Sequence, residues 1–473
     1  MEPTSTASIN PLKTARWFLA ALLAVNLYRA MTQSVTPGEA WNFDRFIGPS
    51  CNEALARFDV NNHVLNTLLI RISTAGFHLT ELSLRLPSLL AGVLYLWVVF
   101  RLARRCFGDG LVFLAVIGLL TLNPVVVDAL SEARGYGMAL AAWMWALELM
   151  LESVQSFSPQ KLNLAAISLG LSVAASLAFT APAIALLSVY LVWSGKEGGA
   201  DPLVCARPLG RALALISFLA AFLFLAIPLN HADWKTLAIG ATSLRQTINE
   251  LNALSLGTSS AFIAAAARVA LALLSFAGAS AAVRYWRRQD GALLALTGAT
   301  LALTLVLLIA AHRWLQTPFP QGGALYLIPL TTLPVTAVIL KQNNKTAQIA
   351  FLCVSTVLLA RYISVFPFGM YAAGRQLSGA RTLAKTLRVK AGNTSVRIGA
   401  SLAVEPIINY YRTRYRQGNW QPVDREPLTG AYDYYVLTPA DAPLIEQRHL
   451  HVMYRDAGLT LAAPAPPAPA IQP

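Results

Sequence analysis

The 473-residue chain is poor in charged side chains and in cysteine. Charged residues make up 13% of the sequence and hydrophobic residues 56%, whereas charged residues make up about 25% of an ordinary soluble domain. Apolar runs of roughly 17–25 residues recur along the chain, which is the length that crosses a bilayer as a helix. The composition therefore excludes a soluble globular protein and predicts a polytopic membrane protein.

The four cysteines lie far apart, at Cys51, Cys106, Cys205 and Cys353. Only Cys51 falls in a predicted outer loop, so we expect no disulfide between loops. The chain has no CxxC or HExxH motif and no visible internal repeat. Lys13 precedes a long apolar run without a small-residue cleavage site after it, so we expect no cleavable signal peptide.

The net charge of +14 comes from basic residues that lie mainly between the apolar runs. This distribution follows the positive-inside rule and excludes nucleic acid as a partner. The apolar runs predict about eleven transmembrane helices. The basic residues between them predict a cytoplasmic N-terminus and an extracytoplasmic C-terminus. The predicted spans are 17–31, 84–100, 111–129, 138–151, 162–178, 182–193, 212–229, 262–283, 292–311, 324–340 and 347–366.

The composition changes after the last apolar run. Residues 1–366 form the predicted transmembrane domain, which includes an acidic outer loop at 32–82. Residues 367–462 alternate helical and strand patterns, which predicts a small extracytoplasmic α/β domain with a partly parallel sheet. Its predicted helices are 371–391, 404–416 and 440–447, and its predicted strands are 395–400, 432–437 and 451–455. Residues 463–473 are rich in proline and alanine and are expected to be extended or disordered.

The acidic outer loop follows the first span, and nearly every other acidic residue in the first two thirds of the chain lies at a segment end or in a short loop. Glu39 is a candidate general base, or an electrostatic partner for a leaving phosphate through a metal or a basic side chain. A solvated acid at a helix end is the alternative. Asp44 is a candidate second acid, and the alternative is a local ion pair with Arg45 that contributes little.

A second polar cluster opens an amphipathic segment at 53–75, which we expect to form helices lying in the membrane interface. It contains Asp59, Asn62 and His63, and the neighbouring Asn61 is a candidate helix cap. His63 is a structural histidine, a ligand for a divalent cation with Glu39 or Asp59, or a partner for a sugar hydroxyl.

Two further groups of charged residues lie at outer ends of spans. The turn at 131–137 (SEARGYG) carries Glu132 and Arg134, and charges at this depth are costly and often functional. The planar guanidinium of Arg134 suits a phosphate, although a Glu132–Arg134 pair that only shapes the turn is the alternative. Arg313 is a candidate for a lipid phosphate or, alternatively, an interfacial anchor.

These motifs, in this order and on these sides of the membrane, resemble the GT-C superfamily of polytopic glycosyltransferases over residues 15–365. The similar branch contains the bacterial protein mannosyltransferases and aminoarabinose transferases. The resemblance rests on Glu39 after the first span and on the segments 83–88 (SLRLPS), 132–136 (EARGY) and 326–330 (YLIPL). The chain departs from the family pattern by having a single acid at Glu39, a loose match around His63, and no arginine before Tyr326.

The resemblance implies inverting transfer of a sugar from a polyprenyl-phosphate donor to a glycan, lipid or protein acceptor. The reaction would occur on the outer face of a bacterial inner membrane. Glu39, with Asp44 beside it, would be catalytic, and a divalent cation at Glu39 and His63 stays open. The substrate-binding residues implied are Asp59, Asn62, His63, Arg71, Glu132, Arg134, Tyr136 and Arg313.

Two other functions remain open from the sequence. One is a lipid or saccharide transporter or flippase, a class that often shows inverted repeats and polar breaks near the middle of the membrane. The other is a non-catalytic GT-C-like scaffold. The glycosyltransferase hypothesis predicts that Glu39, His63 and Arg134 converge on one outward-opening cavity bordered by the bilayer.

Overall fold

A computed structural model describes residues 10–55, 59, 62–194, 202–231, 240–258, 260–285, 291–366, 368–369, 371, 374, 377–423, 428–456 and 458–465. The chain divides into two compact units. The first consists of residues 1–27, 56–66 and 87–366, and the second consists of residues 28–55, 67–86 and 367–473.

The chain up to residue 366 is helical. Its α-helices are α1 (Pro11–Thr32), α2 (Pro37–Asn42), α3 (Cys51–Leu55), α4 (Val64–Phe77), α5 (Glu81–Phe107), α6 (Leu111–Thr121), α7 (Pro124–Ala129), α8 (Tyr136–Gln155), α9 (Pro159–Ala175), α10 (Thr180–Ser194), α11 (Pro202–Asn230), α12 (Leu244–Leu256), α13 (Ala261–Tyr285), α14 (Ala292–Leu315), α15 (Leu327–Lys341) and α16 (Lys345–Val365). A π-helix covers Phe43–Ile47, and a 3-10 turn covers Leu177–Phe179.

A single helix covers most of each predicted span except the third. There the chain breaks between α6 and α7. Pro124 has no backbone N–H to donate, and the side chain of Asn123 accepts a hydrogen bond from Val125 N at 3.1 Å. Asn123 thus caps a new helix, so the prediction of one continuous helix over 111–129 is wrong.

The described residues contain five helices that are individually long and apolar enough to cross a membrane. A sixth crossing results if Leu244–Leu256 and Ala261–Ala277, which are bent by 116°, count as one span. Other helices over predicted spans, such as α15, are shorter than a typical crossing. The arrangement of eleven crossings therefore stays a prediction.

Helices α8 and α9 pack against each other in the first unit. The indole of Trp143 on α8 is buried and donates to the carbonyl of Pro182 at 3.1 Å. Ser172 on α9 donates to the carbonyl of Ala139 at 2.8 Å. Outer helices carry exposed apolar side chains, such as Leu223 on α11 at 76% exposure, which is the surface that lipid would cover.

The C-terminal part of the second unit is a small α/β fold. Its elements are α17 (Ala380–Ala391), β1 (Ile398–Ala400), α18 (Glu405–Arg414), β2 (Tyr434–Leu437), a 3-10 turn (Pro439–Asp441), α19 (Pro443–Gln447), β3 (Leu450–Asp456) and β4 (Leu459–Pro464). The sheet order is β1-β2-β4-β3, with β1 and β2 parallel and the other pairs antiparallel. The predicted partly parallel sheet is confirmed.

Strand β4 was not predicted. It pairs with both β2 and β3, and its Leu459, Leu461 and Ala462 are buried. The strand extends to Pro464, so the tail predicted from 463 to be extended or disordered begins as strand. Proline is tolerated there because it ends the strand. Residues 466–473 lie outside the described residues.

Candidate functional site

The turn between α7 and α8 presents Arg134 on a compact backbone. Helix α7 ends in hydrogen bonds from Ser131 N and Glu132 N to the carbonyl of Asp128, at 3.1 and 2.8 Å. Arg134 N then bonds to the carbonyl of Glu132 at 2.7 Å. The guanidinium carbon of Arg134 lies 5.1 Å from the centre of the Tyr136 ring. The arrangement holds a cation beside an aromatic face.

Gly135 permits the close approach of three segments at this turn. A Cβ atom at residue 135 would lie 2.1 Å from the carbonyl oxygen of Ala175 and 2.7 Å from Cβ of His63. Both distances are far below van der Waals contact. The glycine is required by packing, because its φ of −67° is open to any residue.

We expect Gly135→Ala to lower the stability of the protein by about 1–3 kcal/mol, because the added methyl group overpacks the turn. The clash falls on the carbonyl of Ala175 and therefore displaces His63 as well. Thermal unfolding of the purified protein in detergent measures the effect. Gly76→Ala is the control, since a Cβ at residue 76 meets nothing within 4 Å. Equal unfolding temperatures for the two variants would contradict the packing argument.

His63 lies in the loop before α4 and is only 3% exposed. Its Nδ1 lies 3.0 Å from the carbonyl oxygen of Ala175, and its ring meets Tyr136 edge-on at 4.5 Å between centres. Because a carbonyl only accepts, Nδ1 carries the proton and Nε2 is left as an acceptor. Nε2 is buried and has no hydrogen-bond partner among the described residues.

Burial lowers the pKa of His63 to about 3, and the positive charge of Arg134 contributes to the decrease. The imidazole is therefore neutral at neutral pH. A neutral ring with a buried lone pair at Nε2 accepts a hydrogen bond from a ligand hydroxyl or water. The group does not act as a cation for phosphate.

A cavity of about 870 Å³ in the first unit brings these side chains together. His63, Arg134 and Tyr136 contribute to one part of its wall. The remaining wall is largely apolar and comes from the start of α10, from α12 and from the last turns of α14; it includes Ala181, Ile184, Ala253, Leu254, Leu307, Leu308, Ala311 and Leu315. Its volume and mixed lining are those of a small-molecule or cofactor site.

The segment after α14 closes another side of this cavity and is held in three ways. His312 Nδ1 bonds to the carbonyl of Thr317 at 2.9 Å, and Phe319 forms a two-way backbone bridge with Ala241 at 2.9 Å. Thr247 on α12 donates to the carbonyl of Pro320 at 3.0 Å. These bonds fix the loop relative to α12 and α14 within the first unit.

Glu39 lies in the second unit, fully buried at the start of α2. Arg85 donates from Nε to Glu39 Oε1 at 2.7 Å and from Nη2 to Oε2 at 2.6 Å. Thr36 N also donates to Oε2 at 2.8 Å, which completes a capping box. Both residues have 0% side-chain exposure. Glu39 is thus part of a buried, bidentate ion pair.

The second unit contains two more parts of this polar network. The ring of Tyr371 lies 4.7 Å from the guanidinium carbons of both Arg29 and Arg85. Glu81, also buried, forms ion pairs with Arg414 and, at 3.5 Å, with Arg381. These contacts join the end of α1 and the start of α5 to Tyr371, and the start of α5 to helices α17 and α18, within the second unit.

The structure places the other predicted residues as follows. Asp44 is half-buried in the π-helix, and Arg45 covers the ring of Trp41 at 4.7 Å. Arg71 donates to the carbonyls of Phe46 and Pro49, each at 2.7 Å, and so closes the end of the π-helix. The remaining predicted residues are Asp59, half-buried; Asn62 and Glu132, buried; and Arg313, exposed and outside the cavity wall.

A metal centre finds no support among the described residues. No group of three or more His, Cys, Asp or Glu side chains is placed to hold an ion there. The binding of a cation at Glu39 and His63 stays a prediction. The convergence of Glu39 with His63 and Arg134 also stays one.

Sequence reasoning missed Arg85, Glu81, Tyr371 and Glu250 as functional candidates. Arg85 stood in the SLRLPS segment but was not connected with Glu39, because the two are 46 positions apart. A charged residue near the start of an apolar run was the only available signal. Glu250, which contributes to the cavity wall, lies in an outer loop whose moderate polarity gave no such signal.

Comparison with known proteins gives a partial sequence match and an extensive fold match. A family model described as dolichyl-phosphate-mannose-protein mannosyltransferase matches residues 64–227. A search of curated protein sequences gives no match. The crystal structure of ArnT from Cupriavidus metallidurans bound to undecaprenyl phosphate is 14% identical, with a TM-score of 0.52, and the match covers 96% of this chain and 98% of that chain.

Two further structures are similar at lower scores. ArnT from the same organism in the apo state is 14% identical over the same shares of both chains, with a TM-score of 0.49. Arabinosyltransferase EmbB from Mycobacterium smegmatis is 14% identical with a TM-score of 0.39, and the match covers 84% of this chain and 44% of that chain.

The helical fold, the apolar helices and the cavity define a multi-pass membrane protein. The chain shares its fold with ArnT, and the mannosyltransferase family model matches one segment of it, residues 64–227. Both findings support the resemblance to the GT-C superfamily inferred from the short sequence motifs.

Proposed function

We propose that the protein is a membrane glycosyltransferase that takes a sugar from a polyprenyl-phosphate donor and transfers it, with inversion, to an acceptor hydroxyl. The observation that carries the proposal is the cavity of about 870 Å³, whose wall combines Arg134 and neutral His63 with the apolar ends of α10 and α14. A lipid-linked sugar phosphate needs both surfaces, one for its charged head and one for the start of its isoprenoid chain. The bound undecaprenyl phosphate in the similar ArnT structure supports this choice of lipid.

Arg134 is assigned to the phosphate. As the bond between the anomeric carbon and the phosphate oxygen breaks, negative charge gathers on the departing polyprenyl phosphate. A guanidinium can donate two parallel hydrogen bonds to that phosphate. Its stabilising effect on the transition state is greatest in a cavity with low dielectric walls. Tyr136 supports Arg134 from the ring face.

His63 is assigned to the sugar. Its Nδ1 proton is held by the carbonyl of Ala175, so Nε2 accepts from a sugar hydroxyl. This contact orients the anomeric carbon for in-line attack. Asn62 and Glu132 are proposed to support this part of the site, as the resemblance implies.

Catalytic roles for Glu39 and Asp44 stay predictions, while the burial of Glu39 supports a positioning role for that residue. Its ion pair with Arg85 stabilises the loop that follows α1 in the second unit. Arg71 and Arg313 remain proposed phosphate contacts, and Asp59 a proposed sugar contact. Of these, Arg71 is already engaged with backbone carbonyls.

The proposed setting is a bacterial inner membrane with the reaction on its extracytoplasmic face. The N-terminus would be cytoplasmic, and the α/β fold at the C-terminus would lie outside, where it could meet an acceptor. Basic residues between apolar runs support this orientation.

Release of free polyprenyl phosphate tests the function. The purified protein, reconstituted in lipid nanodiscs, is incubated with a panel of polyprenyl-phosphate sugars and membrane extract as the source of acceptor. We expect one donor to yield polyprenyl phosphate, detected by mass spectrometry, and a product with the opposite anomeric configuration by NMR. Movement of the intact donor from one leaflet of a liposome membrane to the other, without cleavage of any of the donors tested, would instead indicate a flippase.

A further inference from the structure

Glu250 brings a carboxylate to the cavity from helix α12. Among the described residues of the cavity wall it is the only acid. Helix α12 is well defined at both ends, by Ser243 as its N-cap and by Gly257, whose φ of 60° provides a left-handed C-cap. The bond from Thr247 to Pro320 holds the helix against the loop that closes the cavity. Glu250 is therefore presented from a fixed element.

A short chain of hydrogen bonds orients this carboxylate. Thr242 donates from N and from Oγ1 to Gln246 Oε1, at 3.1 and 3.0 Å. This fixes the amide so that Gln246 Nε2 donates to Glu250 Oε1 at 2.9 Å. Among the described residues, Glu250 Oε2 has no hydrogen-bond or ion-pair partner. One oxygen is held and the other is open to a ligand.

Glu39 and Glu250 differ in their hydrogen-bond partners and in their exposure. Both oxygens of Glu39 accept from Arg85, and Oε2 also accepts from Thr36 N, with no side-chain exposure. Glu250 is half-buried and lies in the same cavity wall as Arg134. Glu250 is thus placed to exchange a proton with a ligand in that cavity.

We propose that Glu250 is the general base of the transfer, an inference that rests on the proposed function. The acceptor hydroxyl gives its proton to Glu250 Oε2 while its oxygen forms a bond to the anomeric carbon. The bond from that carbon to the phosphate oxygen breaks, and its electron pair leaves with polyprenyl phosphate beside Arg134. The proton then passes from Glu250 to solvent. The cavity thus holds an anion for the incoming group and a cation for the leaving group.

The test uses nanodisc-reconstituted protein and the polyprenyl-phosphate sugar that wild type consumes. With membrane extract as hydroxyl acceptor, Glu250→Gln should reduce polyprenyl phosphate release by about 10²–10⁴-fold, while its affinity for undecaprenyl phosphate stays within about twofold of wild type. Glu446→Gln, at an exposed acid of α19, should behave as wild type. Similar unfolding temperatures for the three proteins show that the fold is kept.

Rescue of the reaction by azide distinguishes a general base from a residue that only maintains the structure. Azide attacks the anomeric carbon without losing a proton, so Glu250→Ala with sodium azide should form the inverted glycosyl azide and release polyprenyl phosphate. Failure of azide to restore release, or full activity of Glu250→Gln, overturns the assignment of Glu250 and leaves the proposed function standing. Absence of release by wild type with every donor overturns both.

Discussion

Replacing Arg85 by leucine is expected to destabilise the protein by about 3–5 kcal/mol. The substitution leaves the carboxylate of Glu39 buried at 0% exposure without its cation. It also removes the hydrogen bonds from Arg85 to the carbonyls of Gln33 and Ser34, at 2.9 and 2.8 Å. Unfolding in detergent, followed by intrinsic fluorescence and limited proteolysis, measures the loss.

The control and the double variant make this prediction specific. Arg388→Leu removes an exposed guanidinium that lies over Tyr415 at 5.5 Å and should cost no more than about 1 kcal/mol. Glu39→Leu combined with Arg85→Leu should be more stable than Arg85→Leu alone, since no buried charge is then left unpaired. If Arg85→Leu is as stable as wild type, the ion pair does not stabilise the loop that follows α1.

The ion pair between Glu39 and Arg85 also affects the stability expected of a Glu39 variant. The sequence predicts that Glu39→Gln stops transfer without unfolding the protein. The structure adds an expected loss of stability, because Arg85 would keep its charge and lose its partner. Activity measured only on the folded fraction separates the two effects. Loss of turnover with unchanged stability would favour catalysis by Glu39 over a positioning role.

Arg134→Leu is expected to reduce turnover by about 10²–10³-fold, the usual effect of removing one donor to charge that develops in the transition state. The loss should appear in kcat as well as in kcat/KM, because the phosphate carries more charge as it leaves. Arg134→Lys should recover part of the rate, since it restores the charge but not the two-pronged geometry. Release of polyprenyl phosphate, measured by mass spectrometry, gives these constants.

Arg245→Leu is the matched control for Arg134. Arg245 lies on α12, is exposed and does not contribute to the cavity wall. We expect its turnover to match that of wild type. An Arg134→Leu variant that also keeps wild-type turnover would remove the phosphate contact from the proposed mechanism.

Much of the helical framework follows from the sequence because apolar runs and their flanking charges are local properties. The helices over the predicted spans and the elements around 404–416 and 432–437 appear close to their predicted bounds. The exceptions have physical causes. Proline at 124 interrupts an apolar run, and β4 forms in an alanine- and proline-rich segment because β2 and β3 both pair with it.

The cavity was only partly accessible from the sequence. The turn at 131–137 could be identified because it carries Glu132 and Arg134 at the end of a span. Neither the tautomer of His63 nor its burial could be predicted, since both depend on Ala175, 112 positions away. Glu250 could not be assigned to the same wall because α12 is separated from Arg134 by several helices.

The sequence by itself determined that this is a polytopic membrane protein, with an acidic loop after its first helix and an α/β fold at its end. Hydrophobic length and charge between spans carry that information without reference to tertiary contacts. Only the tertiary structure decided that Glu39 is paired with Arg85 and that Glu250 joins His63 and Arg134 around one cavity. The two carboxylates are of the same residue type but differ in burial and partners, because packing decides which carboxylate oxygens are left open to a ligand.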